Sequence, residues 1–192
     1  MQASKLNQLP LAEALLIGEK VVEQLAVACE RIEIVGSIRR KRPLVHDLDL
    51  VVIPQGKWIK NKKDEIVPFP NNNQWFDIPR LIKDLDGEII NSGDKLITAV
   101  VEDFQLDINC ARKDNWGILY LLKTGPQDFN IQLCNRALRL GKHLMVYSGI
   151  WKGEKRFPAE VEIDIFNALE LEFIPPVDRD AAVARLRSGT MV

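Results

Sequence analysis

The stretch DLDLVVI, residues 47–53, constrains this chain more than any other. Its apolar, β-branched composition reads as a strand buried in a sheet. Alternate side chains of a strand project to the same face, so Asp47 and Asp49 point together and Leu48 and Leu50 pack on the other side. Two neighbouring carboxylates repel, and neither is stable when partly buried without a counter-charge. Such a pair is either a solvated strand end or a seat for a divalent cation; magnesium is hard and takes one or two carboxylates plus substrate phosphates. EDFQLDINCA (102–111) carries a third carboxylate, Asp107, inside another apolar strand. On an edge strand it would face water. On a strand adjacent to 47–53 it would join the other two, and three carboxylates can hold two ions ~3.5–4 Å apart for in-line phosphoryl displacement.

A phosphate-binding pattern precedes the carboxylates. Gly36-Ser37 follows the short strand RIEIVG and opens a basic turn closed by Pro43. Glycine permits close backbone approach, exposed N–H groups at such a turn suit phosphate oxygens, and the Ser37 hydroxyl adds a donor. Arg39 and Arg40 supply planar guanidinium donors.

The remainder reads as a helix over 10–30 and, after 47–53, a long polar loop over 54–74. A helix over 75–86 and strands at 88–92, 95–101 and 104–110 follow. Helices are expected over 115–125 and 126–141, ended by Gly125 and Gly141. Two strands with a Lys152-Gly153 turn and helical pieces near 162–170 and 178–187 complete the chain. The expected class is α+β: a mixed or antiparallel sheet with helices on one face, then a small α+β subdomain, with domains at 1–115 and 116–192.

Bulk charge favours no partner, since 26 basic and 27 acidic residues nearly cancel. Local charge does: Arg136, Arg139 and Lys142 lie in a basic 136–156 stretch expected to line a nucleic-acid groove, and Lys57, Lys60, Lys62 and Lys63 cluster in the polar loop. Trp58 in that loop is a candidate for base stacking. The three cysteines are too few and scattered for a disulfide framework. No apolar run approaches the ~18 residues of a membrane span, and Glu13 and Glu19 interrupt any secretory leader. An intracellular, cytoplasmic monomer is expected.

GSIRR…DLDLVV resembles the nucleotidyltransferase signature of polymerase family X, the DNA polymerase beta superfamily, including the spacing from Gly36 to Asp47. LPLAEALLIGEKVVEQL is similar to the segment before that signature. WGILYLLKTGPQDFNIQLCNRALRLG resembles the join between palm and nucleotide-binding subdomain, and DIFNALELEFIPPVDRD the closing sequence. The resemblance implies a palm over 1–115 and a C-terminal nucleotide-binding, thumb-like subdomain over 116–192, a minimal form without lyase and fingers domains. Short relatives of this kind occur in viruses and phages.

The resemblance also implies roles. Asp47 and Asp49 would bind two Mg²⁺ (or Mn²⁺) ions, and Asp107 would complete the site that activates a primer 3′-hydroxyl. Ser37 and Arg40 would contact the β- and γ-phosphates, with Gly36 shaping that pocket beside Arg39. Thr124, Gly125 and Asn130 would bind the incoming dNTP or NTP. The sequence departs from many members at Leu122-Lys123, where an aromatic pair is common, at Pro126-Gln127-Asp128, and at Cys134. The expected activity is metal-dependent addition of a nucleoside monophosphate to a 3′-hydroxyl of a DNA primer or gap, releasing pyrophosphate. Template-independent tailing of DNA or RNA ends, modification of a protein hydroxyl, and nucleotide or nucleic-acid binding without turnover remain alternatives.

Overall fold

The structure is a computed structural model that describes residues 8–188. The outer ends of the two expected domains, 1–7 and 189–192, lie outside the described residues. The fold is α+β, as expected. The chain divides into two compact units: residues up to Ile38 with Arg42–Cys110, and Arg39–Lys41 with everything from Ala111 onward.

The first unit begins with β1 (Leu9–Pro10) and helix α1 (Leu11–Ala26), with Pro10 at its N-cap position. The helix buries Ala14, Gly18, Val21 and Leu25. Leu11, Leu15 and Val22 pack beside this line, partly buried, and small residues let the helix lie close: a Cβ on Gly18 would sit 2.9 Å from Ile34. Cys29 belongs to the next element. Strand β2 (Cys29–Ile34), the single turn α2 (Gly36–Arg39), β3 (Leu44–Val45) and β4 (Asp47–Pro54) follow.

Residues 54–74 correct the expected loop. They form an antiparallel hairpin, β5 (Gly56–Lys60) with β6 (Ile66–Asn73). The lysines and asparagines obscure its alternation, but Val67 is buried and Trp58 packs against the core of this unit. Trp58 is therefore partly a core residue rather than an open stacking platform. Gln74–Asp77 make a 3₁₀ turn into α3 (Ile78–Lys83), shorter than the expected helix. The last strands are β7 (Glu88–Ser92), β8 (Leu96–Val101) and β9 (Phe104–Cys110).

The main sheet has five strands in the order β2-β4-β9-β8-β7. The β4–β9 pair is parallel and its other pairs are antiparallel. One face is apolar: Leu48, Leu50, Leu106, Ile108, Ile97 and Ala99 join Val21, Leu25, Ile78 and Ile82 of α1 and α3 in a single core.

The second unit holds α4 (Trp116–Thr124) and α5 (Gln127–Arg139), an antiparallel sheet of β10 (His143–Met145), β11 (Gly149–Lys152) and β12 (Lys155–Phe157), then α6 (Glu162–Ala168) and α7 (Arg179–Ser188). Gly125 and Gly141 end their helices in the left-handed region (φ 68° and 65°). The β11–β12 turn is Gly153-Glu154, one residue on from the expected pair: Lys152 opposes Lys155 in the ladder, and Gly153 takes the positive φ. Phe129, Phe166 and Phe173 pack in sequence through this unit's core. Trp75 and Trp116 are buried, as core residues should be. Among the described residues no helix is long and apolar enough to cross a membrane.

Candidate active site

In the first unit the three aspartates lie on two adjacent strands of the sheet. Strands β4 and β9 are neighbours in parallel register, so Asp49 pairs with Asp107 and Asp47 with Gln105. Adjacent strands lie about 4.8 Å apart. Asp47, Asp49 and Asp107 share the face opposite the α1–α3 core, since Leu48, Leu50, Leu106 and Ile108 occupy that core. Asp107 is on the central strand and not an edge. Its other neighbour across the ladder is Thr98.

The three carboxylates are half-buried and differ in their surroundings. Asp49 lies against Gly36, where a Cβ would collide with the carboxylate. Gly36 also holds φ 63°, so two independent constraints exclude a side chain there. Val35 donates its N–H to the Asp49 carbonyl at 2.9 Å, fixing the turn to the strand. Asp107 Oδ2 accepts a long hydrogen bond from Gln105 Nε2 (3.3 Å). Its Oδ1 is buried without a hydrogen-bond partner, as is the Ser37 hydroxyl oxygen. A buried acceptor left open costs about 1–3 kcal/mol. A cation or proton at Asp107 and a phosphate oxygen at Ser37 would remove that penalty. The donors fit a hard divalent ion in kind, although among the described residues no group of three or more His, Cys, Asp or Glu is gathered closely enough to hold one.

The arginines are placed differently from the expectation. Both belong to the second unit. Arg39 makes a bidentate pair with Glu162 (2.9 and 2.7 Å), donates to the Thr124 hydroxyl at 2.7 Å, and stacks on Tyr120 at 3.7 Å. Arg40 donates to the Thr124 carbonyl and pairs with Asp180 at 3.5 Å. Glu162 also receives Arg179 Nη2 at 2.6 Å; Arg179 has no exposed surface and bonds the Ile174 carbonyl. Burial opposes ionisation of Glu162, but its hydrogen bonds and charge attraction to Arg39 and Arg179 prevail, holding its carboxyl below the usual range. Glu162 was missed in the sequence because its partners are 123 and 17 residues away and its short helix offers no charge pattern.

The remaining expected residues lie in the same unit. Thr124 is buried, donating its hydroxyl to the Tyr120 carbonyl at 2.6 Å. Gly125 leaves room for Arg40, whose Nη1 would be 3.1 Å from a Cβ. Asn130 donates to the Leu122 carbonyl at 2.7 Å, while its Oδ1 is buried without a partner. Of the basic residues expected to face a nucleic acid, Arg139 is exposed. Arg136 instead donates to the carbonyls of Leu169 (3.0 Å) and Glu170 (3.1 Å), at the C-terminus of α6. Lys142 corrects the expected exposed face: it is buried and donates to the Ala168 carbonyl at 2.6 Å. Helix C-terminal carbonyls attract cations, which explains both placements.

Residues 119–180, about a third of the chain and wholly within the second unit, match the family model of the DNA polymerase beta thumb. No curated protein matches the chain.

Proposed function

We propose that this protein is a family X-like nucleotidyltransferase that transfers a nucleoside monophosphate from a (d)NTP to a 3′-hydroxyl, of the gap-filling DNA repair type. The first unit would be the palm and the second the nucleotide-binding thumb. The thumb match supports the relationship to polymerases. The observation that carries the chemistry is the facing pair Asp49 and Asp107, with Asp47 on the same face and Asp107 Oδ1 buried and open.

Asp47, Asp49 and Asp107 would hold Mg²⁺, which when bound neutralises the triphosphate and favours the alkoxide of the acceptor. The 3′-oxygen attacks the α-phosphorus, the bond to the β-phosphate bridging oxygen breaks, and pyrophosphate leaves. Asp107 Oδ1 is the acceptor suited to the hydroxyl proton. The Ser37 hydroxyl, free to donate, suits a phosphate oxygen. Arg40 is the guanidinium that the family resemblance assigns to the phosphates, whereas Arg39, held by Glu162, positions Thr124. Gly125 and Asn130 would line the nucleotide side.

Asp107→Ala should reduce extension of a labelled primer on gapped DNA by roughly 10³-fold, the rate equivalent of several kcal/mol of charge stabilisation. Nucleotide binding, read by equilibrium titration, should persist. Unchanged extension would overturn the metal-site assignment. A second reading, binding of nucleic acid without turnover, is favoured by the absence of a gathered three-ligand cluster among the described residues. No extension by the wild-type protein with any acceptor, alongside retained DNA binding, would select it.

A further inference from the structure

The β5–β6 hairpin has no part in the chemistry above, yet its base borders an open pocket of about 670 Å³, lined by Gln55, Gly56, Asn72, Asn73, Gln74, Phe76 and Asp77. All lie in the first unit. The pocket is built by a close backbone approach: Gly56 has φ 123°, and a Cβ on it would lie 2.5 Å from the Asn72 carbonyl oxygen. The ladder shifts register between Gly56 and Trp58 at this point. Asn73 is the structural member, donating to the Lys57 carbonyl at 3.0 Å and accepting from the Trp75 N–H at 3.0 Å.

The other lining groups have hydrogen-bonding capacity to offer. Among the described residues Asn72, Gln74 and Asp77 make no side-chain hydrogen bond, and Gln55 makes one long one, to the Cys29 carbonyl at 3.4 Å. Phe76 exposes 43% of its surface beside them. Among the described residues no cation lines the pocket and Asp77 does, so it is unsuited to a phosphate. Carboxamides present paired donor and acceptor edges that match a nucleobase edge, and a carboxylate accepts from a ring N–H, such as that of thymine, or from an exocyclic amino group. An exposed phenyl ring gives a base a face to stack on. The cations come from outside the pocket: Lys57, Lys62 and Lys63 are exposed on the same hairpin. They suit a phosphodiester, which a neutral saccharide would not need.

We infer that this pocket takes an unpaired nucleobase of a single-stranded nucleic acid, stacked on Phe76 and read by Asn72, Gln74 and Asp77, with the hairpin lysines along its backbone. The inference does not rest on the proposed nucleotidyl transfer.

Fluorescence anisotropy with a labelled oligothymidine, an abasic strand of the same length and a blunt duplex tests it. The protein should bind oligothymidine more tightly than the abasic strand. Phe76→Ala should weaken oligothymidine binding roughly tenfold, the scale of losing one stacked base, with duplex binding unchanged. Phe76→Tyr should retain affinity, and the Asn72→Ala/Gln74→Ala double variant should lose it. Equal affinity for abasic and base-bearing strands would overturn the inference, as would an unaltered Phe76→Ala variant. Oligothymidine binding is read without nucleotide or divalent ion, which separates this result from the fate of the proposed transfer reaction.

Discussion

Glu162 is the residue on which the second unit most depends. It is buried and shared by Arg39 and Arg179, so removing it takes away the one carboxylate that both guanidinium groups share and leaves the fully buried Arg179 without it. Glu162→Ala should destabilise the protein by about 3–5 kcal/mol, measured by urea unfolding, as expected for a broken buried pair. The same carboxyl makes stability depend on pH. Its folded-state pKa lies below the ordinary 4.5. Its contribution is therefore complete above the unfolded value and is lost as pH falls through the folded one. The urea midpoint should drop as pH falls below the ordinary 4.5, and Glu162→Gln should flatten that drop. The aspartates were legible in the sequence, because charge inside an apolar strand is conspicuous and side-chain alternation fixes which residues share a face. Glu162 was not, because a solitary acid on a short helix looks like surface until its partners are in place.

At the scale of elements, the contact of α4 with α6 depends on Gly117. A Cβ there would collide with the Val161 backbone, and Gly117 donates its N–H to the Ala159 carbonyl at 2.8 Å. Gly117→Ala should lower stability by about 1–3 kcal/mol, seen as a reduced Tm in circular dichroism, because backbone cannot yield as a side chain can. The strands at 88–92 and 104–110 and the helices around Gly125 were readable from hydrophobic period and terminal glycines. The β5–β6 hairpin was not. Its strands are half-exposed and rich in Lys and Asn, so local composition imitates a loop, and Trp58 packs against a core made elsewhere. The inward turn of Lys142 escaped for a related reason: the carbonyl it serves, Ala168, lies 26 residues on.

For the whole molecule, the two units differ in how their stability is built. The first rests on one continuous apolar core beneath a five-stranded sheet. The second combines an aromatic core with the buried Arg39–Glu162–Arg179 group. Hydrogen exchange of Glu162→Ala should therefore show protection falling first in residues 111–188, while β4, β8 and β9 keep theirs; a uniform loss would mean that the two units open as one.

The three residues Arg39–Lys41 carry a consequence for anyone dissecting this protein. The second unit is discontinuous in sequence: a C-terminal fragment starting at Ala111 would contain the whole matched segment yet lack Arg39 and Arg40. Such a fragment keeps Glu162 and Arg179 but is missing the guanidinium that caps Thr124 and stacks on Tyr120. Gene truncation at the visible seam thus yields an incomplete fold. A peptide spanning Gly36–Arg42 supplied in trans would return the missing guanidinium groups.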